Sequence, residues 1–87
     1  MKIEFSSSYR KVFKKLISKN PDIVFLVFNK LLVLSENINH PSLRLHKLKG
    51  NLKDFHSISV ENNIRIILEL KEDSILLINI GTHDEVY

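Results

Sequence analysis

In FHSISVENNIRIILELKEDSILLINI, residues 55–80, apolar and polar residues alternate. Ile58 and Val60 point one way and Ser57 and Ser59 the other. After Glu61-Asn62-Asn63, Ile64, Ile66, Leu68 and Leu70 alternate with Arg65, Ile67 and Glu69. A period of two belongs to a half-buried strand, because successive side chains of an extended chain leave on opposite faces. Glu61-Asn62-Asn63 and Lys71-Glu72-Asp73 interrupt the pattern as turns, so the stretch reads as three strands in an antiparallel meander.

Upstream the period changes to that of a helix. Ser6 to Ser8 offer N-caps, and Tyr9, Val12, Phe13, Leu16 and Ile17 form one apolar stripe, with Arg10, Lys11, Lys14, Lys15 and Lys19 on the other face. Asn20-Pro21 resets the chain, Asn20 as cap and Pro21 at the first helical position, where its missing N–H costs nothing. A second helix is expected to about Glu36. The segment DIVFLVF could by composition be a buried strand, but about 16 residues without a turn signal suit a helix better. Apolar on nearly all sides, this helix reads either as the central core helix or as one that keeps a face for a partner.

Met1 to Phe5 reads as a short strand, Pro41 marks a turn, and Gly50 breaks the basic run from Arg44 to Lys53. The expected fold is therefore α+β, in the order β-α-α-β-β-β. The antiparallel sheet packs both N-terminal helices on one face and leaves the other free. That free face should carry Ser57, Ser59, Arg65, Glu69, Asn79 and, if the chain stays extended past Gly81, His83.

A chain of 87 residues makes one domain, residues 1–87, and buries only about 60–65% of its unfolded surface. The absence of cysteine excludes disulfides and thiolate metal sites. Because Met1 to Phe5 already reads as a strand rather than a signal peptide, the expected location is cytoplasmic. The greasiest run, Ile23 to Leu34, is too short to span a bilayer, so no membrane partner is expected. The net charge is +3, yet through Lys53 eleven Lys or Arg face three acids, and beyond it two face seven. A phosphate-rich partner would meet the N-terminal half; the alternative is solvated helix faces.

Several groups could converge on the free face: His46, Lys47, Lys49 and Lys53 from the basic loop, Arg65 from mid-strand, and His83 and Tyr87 from the last residues. Such a set suits RNA cleavage without a metal. The reaction needs a base for the ribose 2′-hydroxyl proton, an acid for the departing 5′-oxygen and cations for the charged phosphorane. Imidazoles serve either proton role near neutrality. The plainer alternatives are that Arg65 pairs with Glu69 and that His40 and His56 are surface or loop residues. No two histidines stand at i, i+4 and the acids are scattered, so a metal site is the poorer reading. No phosphate loop, dinucleotide fingerprint or nucleophile elbow is present.

The stretches LHKLKGNLKDFHSISVENNIRIIL (45–68) and LLINIGTHDEVY (76–87) resemble the RelE/ParE superfamily of bacterial toxins, in particular its RelE, YoeB and YafQ branch of ribosome-dependent mRNA endonucleases. The resemblance covers the whole chain in element order. It implies a cofactor-free mRNA interferase that acts on mRNA in the ribosomal A site and is silenced by a cognate antitoxin. Within that resemblance His46 precedes the Leu48-Lys49-Gly50 turn at a proton-transfer position, Arg65 matches the strand arginine that binds the scissile phosphate, and His83 matches the C-terminal general acid. Lys47, Lys49, Lys53 and Tyr87 are the expected RNA-binding residues. Some YafQ-like members carry a further histidine and aspartate in the hairpin where this chain has Ser59 and Asn63, which removes two groups from one version of the mechanism. The alternatives within the superfamily are a ParE-like inhibitor of DNA gyrase and a weakened toxin that mainly binds antitoxin.

Overall fold

All 87 residues are described by the computed structural model. The chain runs through β1 (Lys2–Phe5), α1 (Ser7–Lys19), α2 (Ile23–Glu36), β2 (His46–Lys47), β3 (His56–Glu61), β4 (Ile64–Leu70), β5 (Ser74–Gly81) and α3 (His83–Val86), with 3₁₀ turns at Pro41–Leu43 and Gly50–Leu52. The five strands lie in the order β1-β5-β4-β3-β2.

The α+β class and the meander of β3, β4 and β5 are as the alternation predicts, with both helices on one face. A core of thirteen buried residues joins Tyr9, Ile23, Val27 and Leu34 of the helices to inward-facing Ile58, Ile66, Leu68, Ile75, Leu77 and Ile80 of the sheet. Two bulges re-aim side chains. One falls between Ser59 and Glu61, and one lies in β5, where Ile67 pairs with Asn79 while Leu68 pairs with Leu77. The second bulge lets Leu77 and Ile80 both reach the core.

Four expectations are corrected. The sheet is mixed rather than antiparallel: β1 runs parallel to β5, Ile3 opposite Ile75, and Ser6 ties the junction by donating its N–H to the Leu77 carbonyl at 3.0 Å and its hydroxyl to the Ile78 carbonyl at 3.2 Å. Nothing local in a four-residue strand specifies a partner some seventy residues away; the two helices carry the chain from β1 to β2 at the opposite edge, and the meander of β3, β4 and β5 brings it back beside β1. Second, α2 starts at Ile23, because the tight bonds from Ile23 N–H to Asn20 and from Val24 N–H to Pro21 make Asn20 to Asp22 a turn, and Asp22 stands at the N-cap without a side-chain bond. Third, the basic loop contains the two-residue strand β2 paired with β3. Fourth, the C-terminus is a helical turn and the outer sheet face is not free.

Candidate active site

Strand register assigns each side chain its face. His46, Ser57, Ile67 and Asn79 form one row across β2, β3, β4 and β5, and Ser59, Arg65 and Gly81 form the next row on that same outer face. The row of Lys47, His56, Leu68 and Leu77 alternates with these and faces the helices. His46 and Arg65 therefore share the outer face, and Lys47 leaves β2 on the other side.

His83 does not continue the extended path. Thr82 caps α3 in a reciprocal box: Glu85 N–H donates to Thr82 Oγ1 at 3.3 Å, and Thr82 N–H donates to Glu85 Oε1 at 2.8 Å. These bonds hold the Glu85 carboxyl below its usual range, the backbone bond being the largest cause. The signal was present in the sequence as Thr82-x-x-Glu85. The turn carries the chain back over β4, and the Tyr87 hydroxyl donates to Ser57 Oγ at 2.6 Å, having crossed two strand spacings, about 10 Å. Gly81 lies beneath, where a Cβ would stand 3.0 Å from Glu85 Oε1 and 3.3 Å from Val86 Cγ1. This return, together with Ile67 and Val86, which are buried outside the main core, corrects the expectation of a free face: Ser57 is 0% and Ser59 6% exposed.

Three functional groups stand around that covered patch. His46 is exposed, and its Nδ1 lies 3.3 Å from the Arg44 carbonyl. A carbonyl only accepts, so Nδ1 is the donor in this contact, and in the neutral ring the lone pair is then on Nε2. His83 packs against Tyr87 edge to face, ring centres 4.4 Å apart at 87°. Its Nδ1 is 3.7 Å from Asp84 Oδ1, an exposed pair of little energetic value. Arg65 lies opposite Gly81, two residues before His83. The expected alternative, a bridge to Glu69, is not formed; the chain's one acid–base contact within 4 Å is His83–Asp84.

The remaining candidates are peripheral. Lys49 and Lys53 flank the Gly50–Leu52 turn, both exposed, and Gly50 takes φ +66°, which favours glycine. His40 caps the Pro41–Leu43 turn, its Nδ1 accepting from Ser42 N–H at 3.1 Å. His56 is half-buried with Nδ1 shut from solvent and unpartnered; burial first, then the charges of Lys47 and His46, hold its imidazole below its ordinary range. Sequence reasoning missed Ser57, which it took for a solvated residue. No group of three or more His, Cys, Asp or Glu gathers as a metal site.

The fold has counterparts among solved structures. A copper-bound point mutant of a toxin from Helicobacter pylori superposes with a TM-score of 0.84 at 25% identity, covering 100% of this chain and 99% of that one. YafQ from E. coli strain BL21(DE3) gives 0.83 at 21% identity, covering 98% and 96%. The E. coli DinJ-YafQ toxin-antitoxin complex gives 0.80 at 24% identity, covering 98% and 94%. A comparison with curated protein sequences finds no match. The sequence model described as the bacterial toxin of type II toxin-antitoxin system, YafQ, matches residues 1–87. With a full-length match and the helix-backed sheet those toxins share, the chain belongs to the YafQ family of type II toxins.

Proposed function

We propose that this toxin is a ribosome-dependent mRNA endonuclease that acts in the cytoplasm without a metal or other cofactor. The observation that carries the reading is the sharing of one sheet face by His46, Arg65 and the turn that bears His83. In the proposed reaction His46 Nε2 takes the ribose 2′-hydroxyl proton and the 2′-oxygen bonds to the adjoining phosphorus. The bond from phosphorus to the 5′-oxygen then breaks, and His83 delivers a proton to the departing oxygen, leaving a cyclic phosphate. Arg65 forks onto the phosphorane oxygens, which a planar guanidinium matches in geometry. Lys49 and Lys53 hold the flanking backbone, and Tyr87 offers its outer ring to a base. Lys47, on the opposite side of β2, contributes charge at longer range.

The proposed partner is an antitoxin bearing an apolar segment, as DinJ is the partner of YafQ in the E. coli complex. Val24, Phe25, Leu26, Phe28 and Leu32 of α2 stand exposed, Phe25 at 69%; a soluble monomer rarely leaves so large an apolar patch uncovered. The basic face of α1, with Lys11, Lys14 and Lys15 side by side, suits acidic residues on the same partner.

The test is 5′-end mapping of transcripts after brief induction of the wild type and of His83→Ala. Discrete new ends within translated message that vanish in the variant are expected. Intact messages together with lost gyrase supercoiling would reverse the reading in favour of a ParE-like action.

A further inference from the structure

Ser57 is fully buried on a face otherwise assigned to chemistry, and its only side-chain bond is to the last residue of the chain. It sits in register with His46 on one side and Ile67 on the other. The Tyr87 hydroxyl reaches it at 2.6 Å, while the Tyr87 ring holds the His83 ring at 4.4 Å. α3 has only four residues, and its capping box fixes the backbone of the turn without itself bonding the His83 imidazole. The Thr82–Glu85 box lies within the turn, and the Ser57–Tyr87 bond is the one polar side-chain contact that ties the turn to the sheet.

We propose that Ser57 is a positioning residue: by accepting the Tyr87 hydroxyl it fastens the C-terminal turn across the sheet and holds His83 on the sheet face that carries His46 and Arg65. This rests on the nuclease reading for its consequence, though not for its geometry. Tyr87 then has a divided task. Its hydroxyl and one ring surface are engaged with Ser57 and His83, and only the remaining surface is open to an RNA base. The arrangement accounts for a serine at a site where an apolar residue would bury as well, because no apolar side chain could accept the phenol.

The experiment is a double-mutant cycle with Ser57→Ala and Tyr87→Phe, each of which removes one hydroxyl and keeps the bulk. Single-turnover cleavage on programmed ribosomes is measured across pH 5.5 to 8.5, with thermal unfolding as a control of folding. Each single variant should lower the maximal rate about five- to tenfold, the factor carried by one neutral hydrogen bond. The half-saturating ribosome concentration should change less than the rate. The double variant should lose no more than either single one. Losses that multiply, or rates equal to wild type in both, overturn the proposal. NMR cross-peaks between the His83 and Tyr87 rings read the clamp directly and should weaken in both variants; undiminished cross-peaks overturn it. If the wild type cleaves nothing, the nuclease reading falls, and this NMR arm still decides the clamp.

Discussion

Arg65 illustrates what a single residue contributes. It is half-buried in mid-strand and has no ionic partner, and in the proposed reaction it meets the phosphate. Arg65→Ala should lower single-turnover cleavage by about 10²- to 10³-fold, the scale of losing one preorganised donor to a transition-state oxyanion, and leave thermal stability nearly unchanged. Arg65→Lys should recover little, since a point charge lacks the fork. Tyr9 supplies the opposite case. Its ring is fully buried against Phe5 and Phe13, but its hydroxyl has no partner, and burial pushes the phenol's pKa far up. Tyr9→Phe should therefore be neutral or stabilising in urea unfolding, whereas Tyr9→Ala should cost about 3–5 kcal/mol. For His56 the sign is fixed by its depressed native pKa. Below about pH 6.5 the unfolded chain takes up the proton first, so stability falls with pH until the folded form also protonates. His56→Gln should flatten that acid-side loss when urea midpoints at pH 7.5 and 5.5 are compared.

The elements divide by how local their instructions are. α1 and the meander follow their own periodicities, and Ser6 caps α1 by accepting from Tyr9 N–H at 3.0 Å. α3 follows from its capping box, a local signal overridden in the sequence reading by the preceding strand's momentum. Glu85→Ala should loosen this turn and weaken contact between the His83 and Tyr87 rings by NMR, while Glu85→Gln, which can still receive the Thr82 N–H, should preserve it. Acid should act in the same direction as Glu85→Ala. The Glu85 carboxyl is depressed in the folded state, so its contribution is present above the ordinary glutamate range and lost as pH falls through the lower, native value. α2 resolves an ambiguity of composition: it buries Ile23, Val27 and Leu34 and exposes the phenylalanines, thus serving both as core and as a surface awaiting cover. Phe28→Asp should weaken antitoxin binding in a titration calorimeter while leaving ribosome-dependent toxicity intact.

At the scale of the whole molecule, the basic half and the catalytic candidates are placed by the sheet, not by proximity in the chain. Lys49 and Lys53 project beside β2 at the same sheet edge that presents His46. Binding to ribosome-held mRNA should weaken as salt rises, and Lys49→Ala or Lys53→Ala should each reduce the slope of log affinity against log salt by about 1. The sequence by itself determined the helix pair and the three alternating strands and supplied the groups proposed to move protons or hold phosphate, because each of these rests on residue type and short-range period. Only the tertiary structure decided that β1 runs parallel to β5, that Lys47 and His46 part company across β2, and that the last residue returns to a buried serine. Those outcomes depend on pairings between segments from about ten to some seventy residues apart, whose partners no local pattern encodes.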